Sequence, residues 1–362
     1  MPRFIPGLQL SELFYRQQVK PILEKNFPRL KYSAALIGWG SEVLGLDTTR
    51  STDHHWGPRV LLFLSDEDHQ KLNRQISEIL SENLPYEFLN YSTNYSNPEP
   101  NGVRHPVKIT SGPVNHLITI FTLKSFFNAR LGFDPAQKIS VADWLTCPQQ
   151  RLLEVTSGMV YHDGLGNLQK VRRKLSFYPR DVWLYMLVAQ WTRISQEEAF
   201  IGRCAETGDE VGSLILGARI VRELMKLTFL MERQYAPYSK WLGSAFGRLN
   251  SGKKLLPMLR KVLNANDWPT RERCLAKAYT FVAEQHNALK ITKPISTLTS
   301  NYFERPYTVI HADRFAAAIK LRIRDAEVQK LTINIGSIDQ FTDSTNVVEN
   351  RELCKKLKVV YR

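Results

Sequence analysis

Cysteine is scarce in this chain. Only four occur in 362 residues, Cys147, Cys204, Cys274 and Cys354, and no two are spaced as C-x-x-C. That spacing gives no signal for a structural zinc site or a dithiol redox motif. Isolated thiols suit a reducing compartment, so a cytoplasmic location is expected. No apolar run approaches the ~20 residues that cross a bilayer, and the opening MPRFIPGLQLSELFYRQQ holds no signal-peptide core. No membrane partner is expected. The eight histidines include no H-E-x-x-H or H-x-x-x-H pair, which removes the usual helix-borne metal site. There is also no basic tail and no RNP, KH or zinc-knuckle signature, so a dedicated RNA module ranks last among the functional classes.

What is present is an ordinary globular composition, 43% hydrophobic and 23% charged, carrying 49 Lys and Arg against 35 Asp and Glu. The resulting formal charge of +14 favours anionic partners such as nucleotides, nucleic acid or acidic proteins. Basic clusters are short, as in KVRRK at Lys170–Lys174. The length suggests two domains. The expected fold class is α+β: a mixed-sheet domain over residues 1–140 and an all-α domain over 141–362, with the boundary near 135–150. In the first third, GLQLSELFYRQQVKPILEKNF reads as an amphipathic helix with Ser11 near its start. YSAALIGWGS reads as a strand entering a glycine turn, and RVLLFLS as a buried strand. DEDHQKLNRQISEILSENL is an amphipathic helix, and VKITSG and NHLITIFTL alternate like strands. From SVADWL onward the pattern is helical, with RDVWLYMLVAQWTRISQEEAFIGRCAE as one long helix after Pro179.

The chemistry-bearing stretch is GWGSEVLGLDTTRSTDHHWGPRVLLFL, Gly38 to Leu64. A glycine-serine turn after a strand leaves backbone N–H groups free for phosphate oxygens. An acidic residue at the edge of the next strand can hold a divalent ion that bridges those phosphates. Gly40 and Ser41 supply the turn. Asp53 and His55 take alternating positions, which in a strand put both side chains on one face. Arg59 can meet phosphate, or pair with Asp53 or Glu42. His54 and His55 with His105 and His116 could gather at a metal, but without ligand spacing His54 and His116 read more simply as structural histidines.

Four phrases, GSEVLGLDTTRSTDHHWGPRVLLFL, YPRDVWLYMLVAQWTRISQEEAFIGR, YAPYSKWLGSAF and SIDQFTDST, together resemble the domain of unknown function 4037 family. The resemblance implies a nucleotidyltransferase-like N-terminal domain with a helical C-terminal domain. It implies a site in which Gly40 and Ser41 bind the phosphates of a nucleotide triphosphate while Asp53 and His55 hold Mg²⁺ or Mn²⁺. That pattern wants a carboxylate where His55 stands, and imidazole is a poor ligand for Mg²⁺. A helical-domain acid is then expected as the base: Glu197, or else Glu198, Asp209 or Glu210. Gln190 and Arg193 would line the same cleft. Lys240, among Tyr235, Tyr238 and Trp241, can hold a phosphate beneath a stacked base, or pack between helices. Two functions stay open. One is transfer of a nucleoside monophosphate to an acceptor, whether small molecule, protein or RNA. The other is a catalytically degenerate nucleotide-binding sensor or interaction module.

Overall fold

The computed structural model describes residues 4–100 and 102–361. The fold class is α+β, with a four-stranded mixed sheet and many helices. Contacts divide the chain into two compact units. One takes the chain up to Ile139 together with Arg151–Ser176; the other takes Ser140–Gln150 and everything from Phe177 onward. The chain therefore passes between units three times, where the sequence suggests a single boundary near residue 140.

The first unit is built on the strands β1 (Ser33–Leu36), β2 (Arg59–Leu64), β5 (Leu117–Thr122) and β6 (Met159–Asp163), in the order β5-β2-β1-β6. Between them, the two-residue strands β3 (Glu87–Phe88) and β4 (Tyr91–Ser92) form a separate small ribbon. β2 runs parallel to β5, and β1 runs antiparallel to both β2 and β6. All six residues of β2 are buried, as a continuous apolar run predicts for a central strand. On one face Ala34, Leu36, Val60, Leu62 and Leu64 share a core with Leu10, Phe14, Val19 and Leu23 of the first helical run, and with Ile76 and Leu80 of the helix Asp66–Asn83. On the other face Phe63 meets Phe126 edge-on at 5.3 Å.

The first helical run is α over Gly7–Phe14, π over Tyr15–Val19 and α again over Lys20–Asn26. The π turn falls just before Pro21, whose ring and missing N–H disturb an unbroken α ladder. Ser11 is not at the start of this helix but buried within it, its hydroxyl 3.4 Å from the carbonyl of Gly57. VKITSG is not a strand. Val107 is instead stitched to the preceding loop, its N–H donating to Asn94 O and its carbonyl accepting from Ser92 Oγ and Asn94 Nδ2. Val107 is 41% exposed, and of this segment Ile109 alone is seen to pack against the core, so it lacks the alternating apolar face of a strand.

The second unit is helical but not all-α: β7 (Ser300–Tyr302) and β8 (Arg305–Val309) form a hairpin within it. The long helix expected after Pro179 ends at Glu197, and a second begins at Phe200. The break follows from Glu198, whose carboxylate accepts the backbone N–H groups of Ile310 and Ala312 at 2.8 and 2.9 Å. The helix Glu210–Met231 is capped by Asp209, which accepts from Gly212 N at 2.7 Å.

Candidate functional site

The antiparallel register Ala35↔Leu61 brings the end of β1 beside the start of β2. The chain between them, Gly38 to Pro58, makes one excursion at that sheet edge, so the glycine turn and the Asp53 segment belong to the same loop. Gly40 has φ +124°, and a Cβ there would lie 2.2 Å from Arg59 Nη2 and 2.5 Å from Glu42 Oε2. Only glycine meets both conditions. Among the described residues, no acceptor is found for the backbone N–H of Gly40 or Ser41. Both residues are half-buried.

Beneath the turn lies a buried ion pair. Arg59 Nε donates to Glu42 Oε1 at 2.7 Å, and its Nη2 reaches the same oxygen at 2.6 Å and the carbonyl of Trp39 at 2.5 Å. The two side chains are 5% and 3% exposed. Of the partners the sequence allows Arg59, Glu42 is therefore the one it takes, and its charge is already met. The Trp39 ring also has the Arg130 guanidinium over it at 4.5 Å. Arg130 in turn lies 3.4 Å from Glu154. Sequence reading passed over Trp39 and Arg130, because neither belongs to a motif; Asp47, which accepts from Gly7 N and Trp56 Nε1, was missed for the same reason.

Asp53 and His55 do not share a strand face. Thr49–Asp53 is a 3₁₀ turn closed by a capping box between Thr48 and Ser51, and His55 adopts a left-handed φ of +49°. Asp53 is exposed, and its Oδ2 lies 2.9 Å from His54 Nδ1, a hydrogen bond that holds its carboxyl below the usual range. His55 is pushed below the ordinary histidine value, first by burial and then by the charges of His54, Arg59, Arg104 and His105. His105 Nδ1 lies 3.0 Å from the carbonyl of Asp53, with Nε2 3.1 Å from Glu99. His116 is a buried structural histidine, bonded through Nε2 to Ser77 O and through Nδ1 to Ile118 N.

No group of three or more His, Cys, Asp or Glu side chains suited to a metal is found among the described residues. The donor set at the loop is one carboxylate, already bonded to a neighbouring imidazole, and one imidazole on a reversed backbone. That set does not fit Mg²⁺, which asks for several oxygens in near-octahedral array.

The expected acids of the helical unit all have structural partners. Glu197 accepts from Arg219 Nη2 at 2.5 Å, and Glu210 pairs with the buried Arg271 at 2.6 Å. Glu198 is buried and its carboxyl is pushed up to about 7 by desolvation, yet both oxygens hold backbone N–H groups. Arg193 pairs with Glu223 and not with Glu197, one turn away. Gln190 is fully buried, donating to Glu223 Oε2 and accepting from Gln340 Nε2. Lys240 lies 4.9 Å over the Trp241 ring and is exposed. Tyr235 is core, packed at 5.2 Å against both Phe177 and Tyr178, so Lys240 has no open aromatic platform there.

A mixed sheet with a glycine turn at one edge and a separate helical unit define the architectural class. Residues 144–242, which include β6 of the sheet as well as helices of the second unit, match the family described as Domain of unknown function (DUF4037), which is the family the sequence resembles. The match carries no activity and does not include Gly40–Arg59. No curated protein matches the chain.

Proposed function

We propose that the chain is a nucleotide-binding protein of nucleotidyltransferase-like architecture that binds without transferring. The observation that carries this reading is the pair of backbone N–H groups at Gly40 and Ser41 that have no acceptor among the described residues, presented by a turn that requires glycine at position 40. Such a turn holds phosphate oxygens by geometry and needs no side-chain cation. The net charge of +14 attracts a nucleotide to the molecule as a whole. Transfer to an acceptor would call on Asp53 and His55 to hold a divalent ion, and their arrangement does not suit one. A reducing, cytoplasmic setting agrees with four cysteines that are all free thiols.

The test is equilibrium dialysis of labelled ATP and GTP, with Mg²⁺ and with EDTA. Binding should be the same in both, unchanged in Asp53→Ala, and at least tenfold weaker in Ser41→Glu, whose carboxylate would repel phosphate from the turn. Pyrophosphate release from triphosphate and cell extract, dependent on Mg²⁺ or Mn²⁺ and lost in Asp53→Ala, would replace this reading with the transferase.

A further inference from the structure

The helical unit contains a basic recess of about 270 Å³. It is lined by Arg193 from the helix Arg180–Glu197, by Arg219, Arg222, Glu223 and Lys226 from the helix Glu210–Met231, and by Asp339 to Asp343. The spacing of 219, 222, 223 and 226 is i, i+3, i+4, i+7, which places all four side chains on one helix face. We propose that this recess binds the dianionic phosphate group of a small phosphorylated compound or of inorganic phosphate.

Four cations line the recess against three carboxylates, and each cation is only partly used. Arg219 spends one N–H on Glu197. Arg222 meets Asp343 through Nη1 at 3.2 Å. Lys226 donates to the carbonyl of Asp339 at 2.7 Å and has no side-chain ion pair within range among the described residues. A guanidinium has five donors and an ammonium three, so most of the donors here have no acceptor among the described residues. The acids are less available than their number suggests. Glu223 is buried and already accepts from Gln190 and Arg193. Asp339 is half-buried with its Oδ2 on Gln149 N, and desolvation raises its carboxyl to about 6. Desolvation also pushes the Lys226 ammonium down, a cost that a bound anion would relieve. A phosphate group brings at least three acceptor oxygens and two charges, matching what the arginines offer. The volume is at the lower limit of small-molecule pockets, which favours a compact ligand. Sequence reading singled out Arg193 but missed R-x-x-R-E-x-x-K at 219–226, because those residues are dispersed among the apolar residues of one helix and match no motif.

The experiment is isothermal calorimetry of the full chain with inorganic phosphate and, separately, with glycerol 2-phosphate, against sodium chloride at matched ionic strength. Tighter binding of the ester assigns the site to a phosphorylated compound, and equal or tighter binding of the free ion assigns it to phosphate; either supports the proposal. Arg219→Ala/Arg222→Ala should weaken the ligand at least tenfold while leaving ATP at the Gly40 turn unaffected. Lys253→Ala/Lys254→Ala removes the same charge elsewhere and should bind as wild type. Thr342→Glu places a carboxylate at the recess without removing a contact of the arginines, and should abolish binding with the fold intact by circular dichroism. Heats equal to those of chloride, or Arg219→Ala/Arg222→Ala and Thr342→Glu variants within twofold of wild type, would overturn the proposal.

Discussion

Arg59 shows what one residue's chemistry reveals and what it conceals. Its place after Gly57-Pro58, near a glycine turn, marks it as a partner for an anion. Whether that anion is a phosphate or Glu42 depends on burial, and burial is set by strands that assemble around it. With both side chains almost fully covered, the pair behaves as an interior ion pair. Removing one member leaves a buried charge alone, which costs about 3–5 kcal/mol. Arg59→Met should therefore lower unfolding free energy by about that amount in urea titrations, and Arg59→Met/Glu42→Leu should recover most of the loss. A single variant as stable as wild type but deficient in ATP binding would instead make Arg59 a phosphate ligand. Asp53 and His55 teach the complementary lesson. Alternation puts them on one face only if the chain is extended, and the Thr48–Ser51 capping box turns it into a 3₁₀ segment. Thr and Ser three residues apart were visible in TTRSTD, so this departure was legible to a reading that weighed turn chemistry before periodicity.

Elements were legible where they are long and periodic. The helices Asp66–Asn83 and Glu210–Met231 and the strands β2 and β5 follow directly from their apolar patterns. β6 did not, because MVYHD is five residues long, ends in polar side chains and lies between helical stretches. What identifies it is contact with β1, far earlier in the chain, where Leu36 pairs with Met159 and Ser33 with Asp163. Gly158 makes that contact possible. It has φ +74°, and a Cβ there would come 2.1 Å from the carbonyl oxygen of Leu36. Gly166 has nearly the same φ, +72°, with nothing within 4 Å. The two glycines separate backbone strain from collision. Gly166→Ala should cost about 1 kcal/mol, the ordinary penalty for a left-handed alanine. Gly158→Ala should cost at least ~2 kcal/mol more, because a backbone carbonyl must also move. Urea unfolding of both variants measures the difference, and equal losses would show that β6 tolerates displacement from β1.

At the scale of the whole molecule, the periodicity of the sequence foretold the α+β class but not the path of the chain. A boundary near 140 is the natural reading, since the pattern there turns from strands to helices. Yet Arg151–Ser176 belongs with the sheet. It supplies β6 along the edge of β1, the Glu154 carbonyl that accepts Gly38 N at 2.9 Å, and the carboxylate facing Arg130. Leu152, Val155 and Leu168 in this segment are fully buried. A fragment ending at residue 140 would lose all of these. It would expose the ladder groups of β1 as an open edge, and unpaired edges recruit other chains. The glycine turn would also lose its anchor at Gly38. The fragment 1–176 keeps every one of these contacts; in it Ser140–Gln150, whose helix Val141–Thr146 buries Trp144 and Leu145 within the second unit, is replaced by Gly and Ser residues, since flexible surface loops cost little. Fragment 1–176 should therefore be monodisperse, unfold cooperatively in urea and retain ATP binding. Fragment 1–140 should aggregate or unfold without a transition. Size-exclusion chromatography and circular dichroism on the pair decide the matter: a cooperative, monomeric 1–140 would place the structural boundary where the sequence pattern changes, and would make β6 an accessory to the sheet.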